Sequence, residues 1–297
     1  MRKVWMLLCG CLSMFFSGRA EEKTDTPFIA IKEKSLLWKI SGKDMKQSSY
    51  VFGTMHLICK DDYLWTLAMK KSLKAAKEVC FEMDMDDPNV LLQIAAGMID
   101  NTGKRLSDYF TPEEYKLVSQ YFSEQAGLDA TMIEQLKPAA LVNLLATSGF
   151  NCSNMVSYET NIMDEAKKMR IEVTGLEEPR EQLALLESFS ADSITKEIIQ
   201  LLQKNVSSDT NEYHDMVTAY RRQDISALYE MMSGLEQSGI RSQTFLAERN
   251  EKWIERMEER MDQKPVFFAI GAGHLGGEKG VINLLRKKGY KVQAVIK

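Results

Sequence analysis

Val51-Phe52-Gly53-Thr54-Met55-His56 is echoed late in the chain by Phe268-Ala269-Ile270-Gly271-Ala272-Gly273-His274. Each segment is an apolar run of strand character that ends at a glycine, with a histidine three residues on. Glycine lets a strand turn sharply and lets a ligand approach the main chain. The imidazole is then presented just beyond the strand end, where α/β sheets place their ligand sites. The chain has only three histidines, and two of them share this frame at opposite ends of the sequence. The repeated Gly-x-x-His spacing predicts one site built from both halves.

Outward from the first motif, Leu36–Ile40 and Ser49–Phe52 read as a hairpin closed by Ser41-Gly42-Lys43-Asp44. A helical pattern over Trp65–Val79 leads into a predicted strand over Val79–Met85. There Phe81, Met83 and Met85 alternate with Cys80, Glu82 and Asp84, which puts both acids on one face of that strand. An acid in mid-strand needs a partner. From Asp87 to Met261 the pattern is mainly helical. Thr111-Pro112-Glu113-Glu114 is a capping-box start, Pro138 and Pro179 open further helices, and Asp209 with Glu212 repeats the capping spacing. A helix over Tyr158–Met169 is followed by a short strand at Arg170–Glu177. His214 reads as an exposed helix-face residue.

Ser242–Met261 is a long helix whose apolar set is interrupted by Arg249 and Asn250, one turn before Trp253. Val266–Ile270 is a continuous apolar run of the kind buried on both faces. Gly273–Gly280 then opens into a helix over Val281–Lys288, stopped by Gly289, and Tyr290–Ile296 closes the chain as a strand. The predicted fold is α/β. A central mixed sheet comes from the N- and C-terminal halves, and the largely helical stretch 87–261 flanks and covers it.

At 297 residues, 44% hydrophobic and 27% charged, the composition is that of a globular protein. A net charge of -4 offers no reason to propose a nucleic-acid partner. Residues 1–20 read as a secretory signal: Arg2 and Lys3, an apolar run too short to span a bilayer, then small residues. The domain is expected over 29–297, exported to a periplasm or secreted, with no transmembrane segment in the mature chain. Leu8-Cys9-Gly10-Cys11 leaves a lipid anchor as the alternative. Loss of the leader leaves Cys59, Cys80 and Cys152, an odd number, with a Cys59–Cys80 bridge conceivable.

Five segments together resemble the TraB/GumN family, which includes the Tiki-type proteases. They are Phe52–His56, Phe81-Glu82-Met83-Asp84, Val173–Glu177 with Gln182 downstream, Glu248-Arg249-Asn250 and Ile270–Gly280. The resemblance spans about residues 29–297. It implies a fold related to the erythromycin-esterase and ChaN-like proteins, with paired Gly-x-x-His motifs and a glutamate at the site. In the Tiki branch it implies metal-dependent peptide hydrolysis. Where many members carry Gly-x-Asp ahead of the middle helix, this chain has Ser157-Tyr158-Glu159.

On that basis His56, Glu82 and His274 are the candidate ligands of a divalent metal ion (Mn, Co or Zn), with Glu82 as ligand or general base. Arg249 is a candidate for oxyanion stabilisation or a structural ion pair. Gly53, Gly271, Asn250 and Glu159 are candidates on the side of a peptide or small-molecule substrate. Two rivals stay open: haem or iron binding without turnover, and a metal-independent esterase in which a histidine is the base.

Overall fold

The expected hairpin forms from β1 (Leu37–Ser41) and β2 (Ser49–Thr54), paired antiparallel with Trp38 opposite Val51. Its turn has Gly42, Lys43 and Asp44 all at positive φ, and Gly42 there reaches 91°, a conformation that glycine takes without strain. This computed structural model describes residues 31–148, 152, 154–206, 211–234 and 242–296. The predicted leader at 1–20 with its lipid-anchor alternative, and the helix start at Asp209, lie outside the described residues.

The remaining strands are β3 (Leu57–Cys59), β4 (Glu78–Phe81), β5 (Met155–Ser157), β6 (Glu172–Gly175), β7 (Val266–Gly271) and β8 (Lys291–Ala294). Six of the eight described strands make one sheet in the order β6-β4-β7-β2-β1-β8. β6, β4, β7 and β2 run parallel, and β1 is antiparallel to both of its neighbours. The sheet is therefore mixed, as expected. Its two central strands, β7 and β2, are the two that carry the Gly-x-x-His motifs. Thr54 stands opposite Gly271 in the ladder, so the motifs leave the sheet side by side.

Parallel pairing puts the carboxyl ends of β2, β4, β6 and β7 on one edge of the sheet. Residues just past those ends are brought together although the chain separates them widely. Val79, Phe267, Phe268 and Ile270 are fully buried, as central strands covered on both faces require.

That burial corrects the reading of 79–85. The strand ends at Phe81, and all of Glu78–Phe81 is buried, so no polar face exists for Glu82 and Asp84 to share. Glu82 instead sits in the bend immediately after β4. β6, from the middle of the chain, joins the same sheet as its edge strand.

Most of the rest is helical. Thr111 and Glu114 form the predicted capping box for Pro112–Ala126, which stops at Gly127 with φ 64°. Helices over 112–126, 138–148 and 191–206 enclose a second core built on Leu106, Val118, Phe122, Leu141, Ile198 and Leu202. His214 is exposed on the helix Asn211–Arg221. The helices at 211–221 and 225–234 pack onto the sheet edge that carries the histidines. Tyr220 donates to the Gly53 carbonyl at 2.8 Å, and a Cβ on Gly273 would strike the Met232 side chain. Part of the helical middle thus covers the site, as expected.

Candidate functional site

Four of the parallel strands deliver one polar side chain each just past their ends: His56 after β2, Glu82 after β4, Glu177 after β6 and His274 after β7. A fifth element, the helix Ser242–Gln263, lays Arg249, Asn250 and Trp253 against them. Glu82, Glu177, Arg249, Asn250 and His274 are all buried.

Arg249 is the hub. Its Nη2 donates to Glu82 Oε2 at 2.7 Å and also to Glu177 Oε1, and its Nε reaches Glu177 Oε2 at 3.2 Å. Its Nη1 lies 3.3 Å from His274 Nε2. A guanidinium has hydrogens only to donate, so His274 Nε2 is the acceptor and its proton sits on Nδ1. That proton points to Asn250 Oδ1 at 2.7 Å, while Asn250 Nδ2 donates to the Lys279 carbonyl at 2.9 Å. The His274 ring packs on Trp253, with centroids 4.3 Å apart. Trp253 Nε1 donates in turn to Glu177 Oε2 at 3.1 Å. Removing one member of such a buried ion-pair set costs about 3–5 kcal/mol, because the opposite charge is left without a partner.

His56 is held differently. Its Nδ1 is 2.9 Å from Glu159 Oε1, which also accepts from Thr54 Oγ1 at 2.7 Å, while Ser157 Oγ approaches the other carboxylate oxygen. Glu159 is thus placed as the carboxylate partner of His56. β3 and β5, which follow His56 and precede Glu159, pair as a separate two-stranded sheet with Leu57 opposite Ser157. The Cys59–Cys152 disulfide ties that sheet to the segment before it. The conceivable Cys59–Cys80 bridge is thus excluded: Cys80 is a free, buried residue inside β4.

The three candidate ligands converge on Gly271. A Cβ there would lie 3.2 Å from Glu82 Oε1, 3.6 Å from His56 Nε2 and 3.6 Å from the His274 ring. Glu82 Oε1 also accepts the Gly271 N–H at 2.8 Å and stands 3.9 Å from His274 Nε2. Gly53 is elsewhere: a Cβ on it would meet Leu275 and Ala272, so it serves the packing of β2 under the second motif.

Two imidazoles and a carboxylate around one cradle suit a divalent cation in donor chemistry. Among the described residues, however, no group of three or more His, Cys, Asp or Glu side chains already stands close enough to hold an ion. As placed, the cation that Glu82 and His274 hold is Arg249.

The electrostatics follow from these contacts. Burial opposes ionisation of Glu82, but Arg249, the two histidines and the Gly271 N–H outweigh it and bring its pKa from 4.5 to about 2. Burial and the adjacent Arg249 bring His274 from 6.5 to about 3, so it is neutral. Burial works against the His56 cation as well, yet the charge and hydrogen bond of Glu159 win and raise it to about 9.

Linkage then fixes the sign of the pH dependence of the metal-free protein. Between about 3 and 6.5 the unfolded chain binds the extra proton at His274, and stability rises with pH. Between 6.5 and about 9 the folded chain holds the extra proton at His56, and stability falls. Thermal unfolding in chelator is expected to peak near pH 6.5, and His56→Gln is expected to flatten the alkaline limb alone.

Nothing in the local sequence around Glu177 or Trp253 marks either as a site residue. The signal lies in helical spacing instead: Arg249, Trp253, Arg256 and Arg260 lie at i, i+4, i+7 and i+11, one stripe of a helix. Arg256 pairs with Glu181 and Arg260 with Glu78, so the stripe seats the helix on acids near β4 and β6.

Metalloprotease TIKI2 of Danio rerio is 20% identical over 97% of this chain and 67% of its own length. Metalloprotease TIKI1 of Danio rerio is 21% identical over 91% of this chain and 65% of its own, and metalloprotease TIKI1 of Homo sapiens is 21% identical over 87% and 61%. The chain thus spans about three fifths to two thirds of the curated relatives it matches. No solved structure matches it. The TraB/PrgY/gumN family model matches residues 36–294, a span that holds both Gly-x-x-His motifs, Glu82, Glu177 and Arg249, and the chain belongs to that family.

Proposed function

We propose that this chain is a metal-dependent hydrolase of peptide bonds, working at the cradle over Gly271. The observation that carries the reading is the convergence of His56, Glu82 and His274 from the ends of three neighbouring parallel strands onto one glycine that leaves the space between them open. The metalloprotease names of the relatives add the peptide substrate and the metal.

His56, Glu82 and His274 would hold a divalent cation (Mn, Co or Zn), whose Lewis acidity lowers the pKa of water and polarises a carbonyl. Glu82 and His274 are prepared for this as they stand, and His56, protonated up to about pH 9 in the metal-free site, would give up its Nε2 proton when the ion binds. His274 Nε2 carries a lone pair because Asn250 keeps the proton on Nδ1. Glu159 grips His56 Nδ1 and leaves Nε2 facing the cradle, the outer contact by which carboxylates orient metal-binding imidazoles. Glu82 stays ionised far below neutral pH. Arg249 has its donors committed to two carboxylates and His274, so we assign it to charge balance in place of oxyanion stabilisation.

Export fits the same reading. Disulfides persist in oxidising compartments, and Cys59–Cys152 is one. Among the described residues no helix is long and apolar enough to cross a membrane.

The test is cleavage of a peptide library with Mn2+, Co2+ or Zn2+ added, by wild type beside Gly271→Ala. Gly271 has φ -54°, which alanine adopts freely, so the fold should hold while the new methyl enters the cradle. Turnover and metal content are expected to drop at least about tenfold together, in the range seen when a metal site loses a supporting contact. Undiminished cleavage by Gly271→Ala would remove the site from this cradle. Cleavage that survives exhaustive chelation would favour the second reading, a metal-free esterase, which has the resident Arg249 cation in its support.

A further inference from the structure

We propose that Arg249 and a divalent cation are alternative occupants of the Glu82–His274 position, and that Glu177 is the positioning residue that lets Arg249 give way. The proposal rests on the metal site put forward above.

Three features of the geometry lead to it. His274 Nε2 has one lone pair, and Arg249 Nη1 lies 3.3 Å from it. That lone pair serves the guanidinium or a metal ion, not both. Glu82 has Oε1 engaged by the Gly271 N–H and Oε2 by Arg249 Nη2, so the carboxylate too is already matched with a cation. Arg249 also has a second set of partners that needs neither group. Its Nε and Nη2 edge meets both oxygens of Glu177, and its guanidinium lies 4.7 Å from the Trp253 ring centre. A shift of the guanidinium toward Glu177, along the face of Trp253, would free Glu82 Oε2 and His274 Nε2 while it kept a carboxylate fork and its aromatic support.

Glu177 is well fixed for this. Trp253 Nε1 and Gln182 Nε2 both donate to it, and the Glu82 carbonyl accepts its N–H at 2.9 Å. It stays where it is whichever cation Glu82 holds. Glu82 and Glu177 therefore share one cation without metal, which keeps either buried carboxylate from standing alone before loading.

The two residues should act on cation affinity in opposite directions, a result that a merely structural role for both would not produce. The experiment is calorimetric titration of the full-length protein with Mn2+, with circular dichroism as the check of fold. Arg249→Gln removes the competitor and is expected to tighten Mn2+ binding about tenfold; Glu177→Gln leaves Arg249 with Glu82 alone and is expected to weaken it about tenfold. Because Arg249→Gln strands two buried acids, the double variant Arg249→Gln/Glu177→Gln, which removes one charge of each sign, carries the same test at the net charge of wild type. It too is expected to bind more tightly than wild type. If wild type binds Mn2+ and the double variant binds no tighter, or Glu177→Gln no weaker, the competition is refuted and the metal site stands. If neither wild type nor any variant takes up Mn2+, the metal site falls and the competition with it.

Discussion

His56→Ala is expected to lower kcat/KM for the cleaved peptide by about 10^3-fold or more, the scale of losing a group that acts directly on the reacting centre. The fold loses the His56–Glu159 ion pair and the stability that pair adds below about pH 6.5, but little packing. His56 lies at the rim of the site, partly exposed, and its one side-chain partner is Glu159, which retains Thr54 and Ser157. His274→Ala is the instructive contrast. That ring is buried against Trp253 and bridges Asn250 and Arg249, so its loss removes packing as well as chemistry. Parallel measurement of kcat/KM, bound metal and thermal unfolding separates the two. A His56→Ala protein that keeps more than a tenth of wild-type activity would refute the assignment of this imidazole to the reaction.

Loss of the Cys59–Cys152 bridge is expected to cost about 2–4 kcal/mol of stability, the usual value for a bridge that closes a long loop. This one spans a separation of 93 residues. The effect on the site should exceed the effect on the fold, because the bridge flanks the small sheet that sets His56 against Glu159. Leu57 pairs with Ser157, and the Tyr158 N–H reaches the His56 carbonyl at 3.3 Å. A Cys59→Ser/Cys152→Ser protein, followed by urea unfolding and by turnover well below its melting point, gives both numbers. Unchanged urea midpoints for this variant and for wild type with and without reductant would mean that the bridge contributes nothing.

Much of this architecture was legible from local pattern. The hairpin, the buried run at Val266–Ile270, the capped helix at Pro112 and the strand–glycine–histidine frames each depend on neighbours within a few positions, and each appears as expected. The strand Glu78–Phe81 departs from its local pattern, because alternation of large and polar residues signals a half-exposed strand. β4 lies in a parallel part of the sheet that is covered on both faces, so it has no exposed face for such a pattern to report. β5 is three residues long and forms only through its pairing with β3, so no local signal marked it.

What the polymer determined by itself was the chemistry available: two histidines in matching frames, a glutamate after a strand, and an arginine on a long helix. Which of these meet was decided by tertiary structure. Parallel pairing of β2, β7 and β4 brings His56, His274 and Glu82 to one glycine, and the docking of a single helix then places Arg249 between two acids. Glu159 became the partner of His56, and Cys152 the partner of Cys59, for the same reason. Ladder register and helix docking are set by burial of apolar surface across the whole domain, a sum over distant residues that no short window contains.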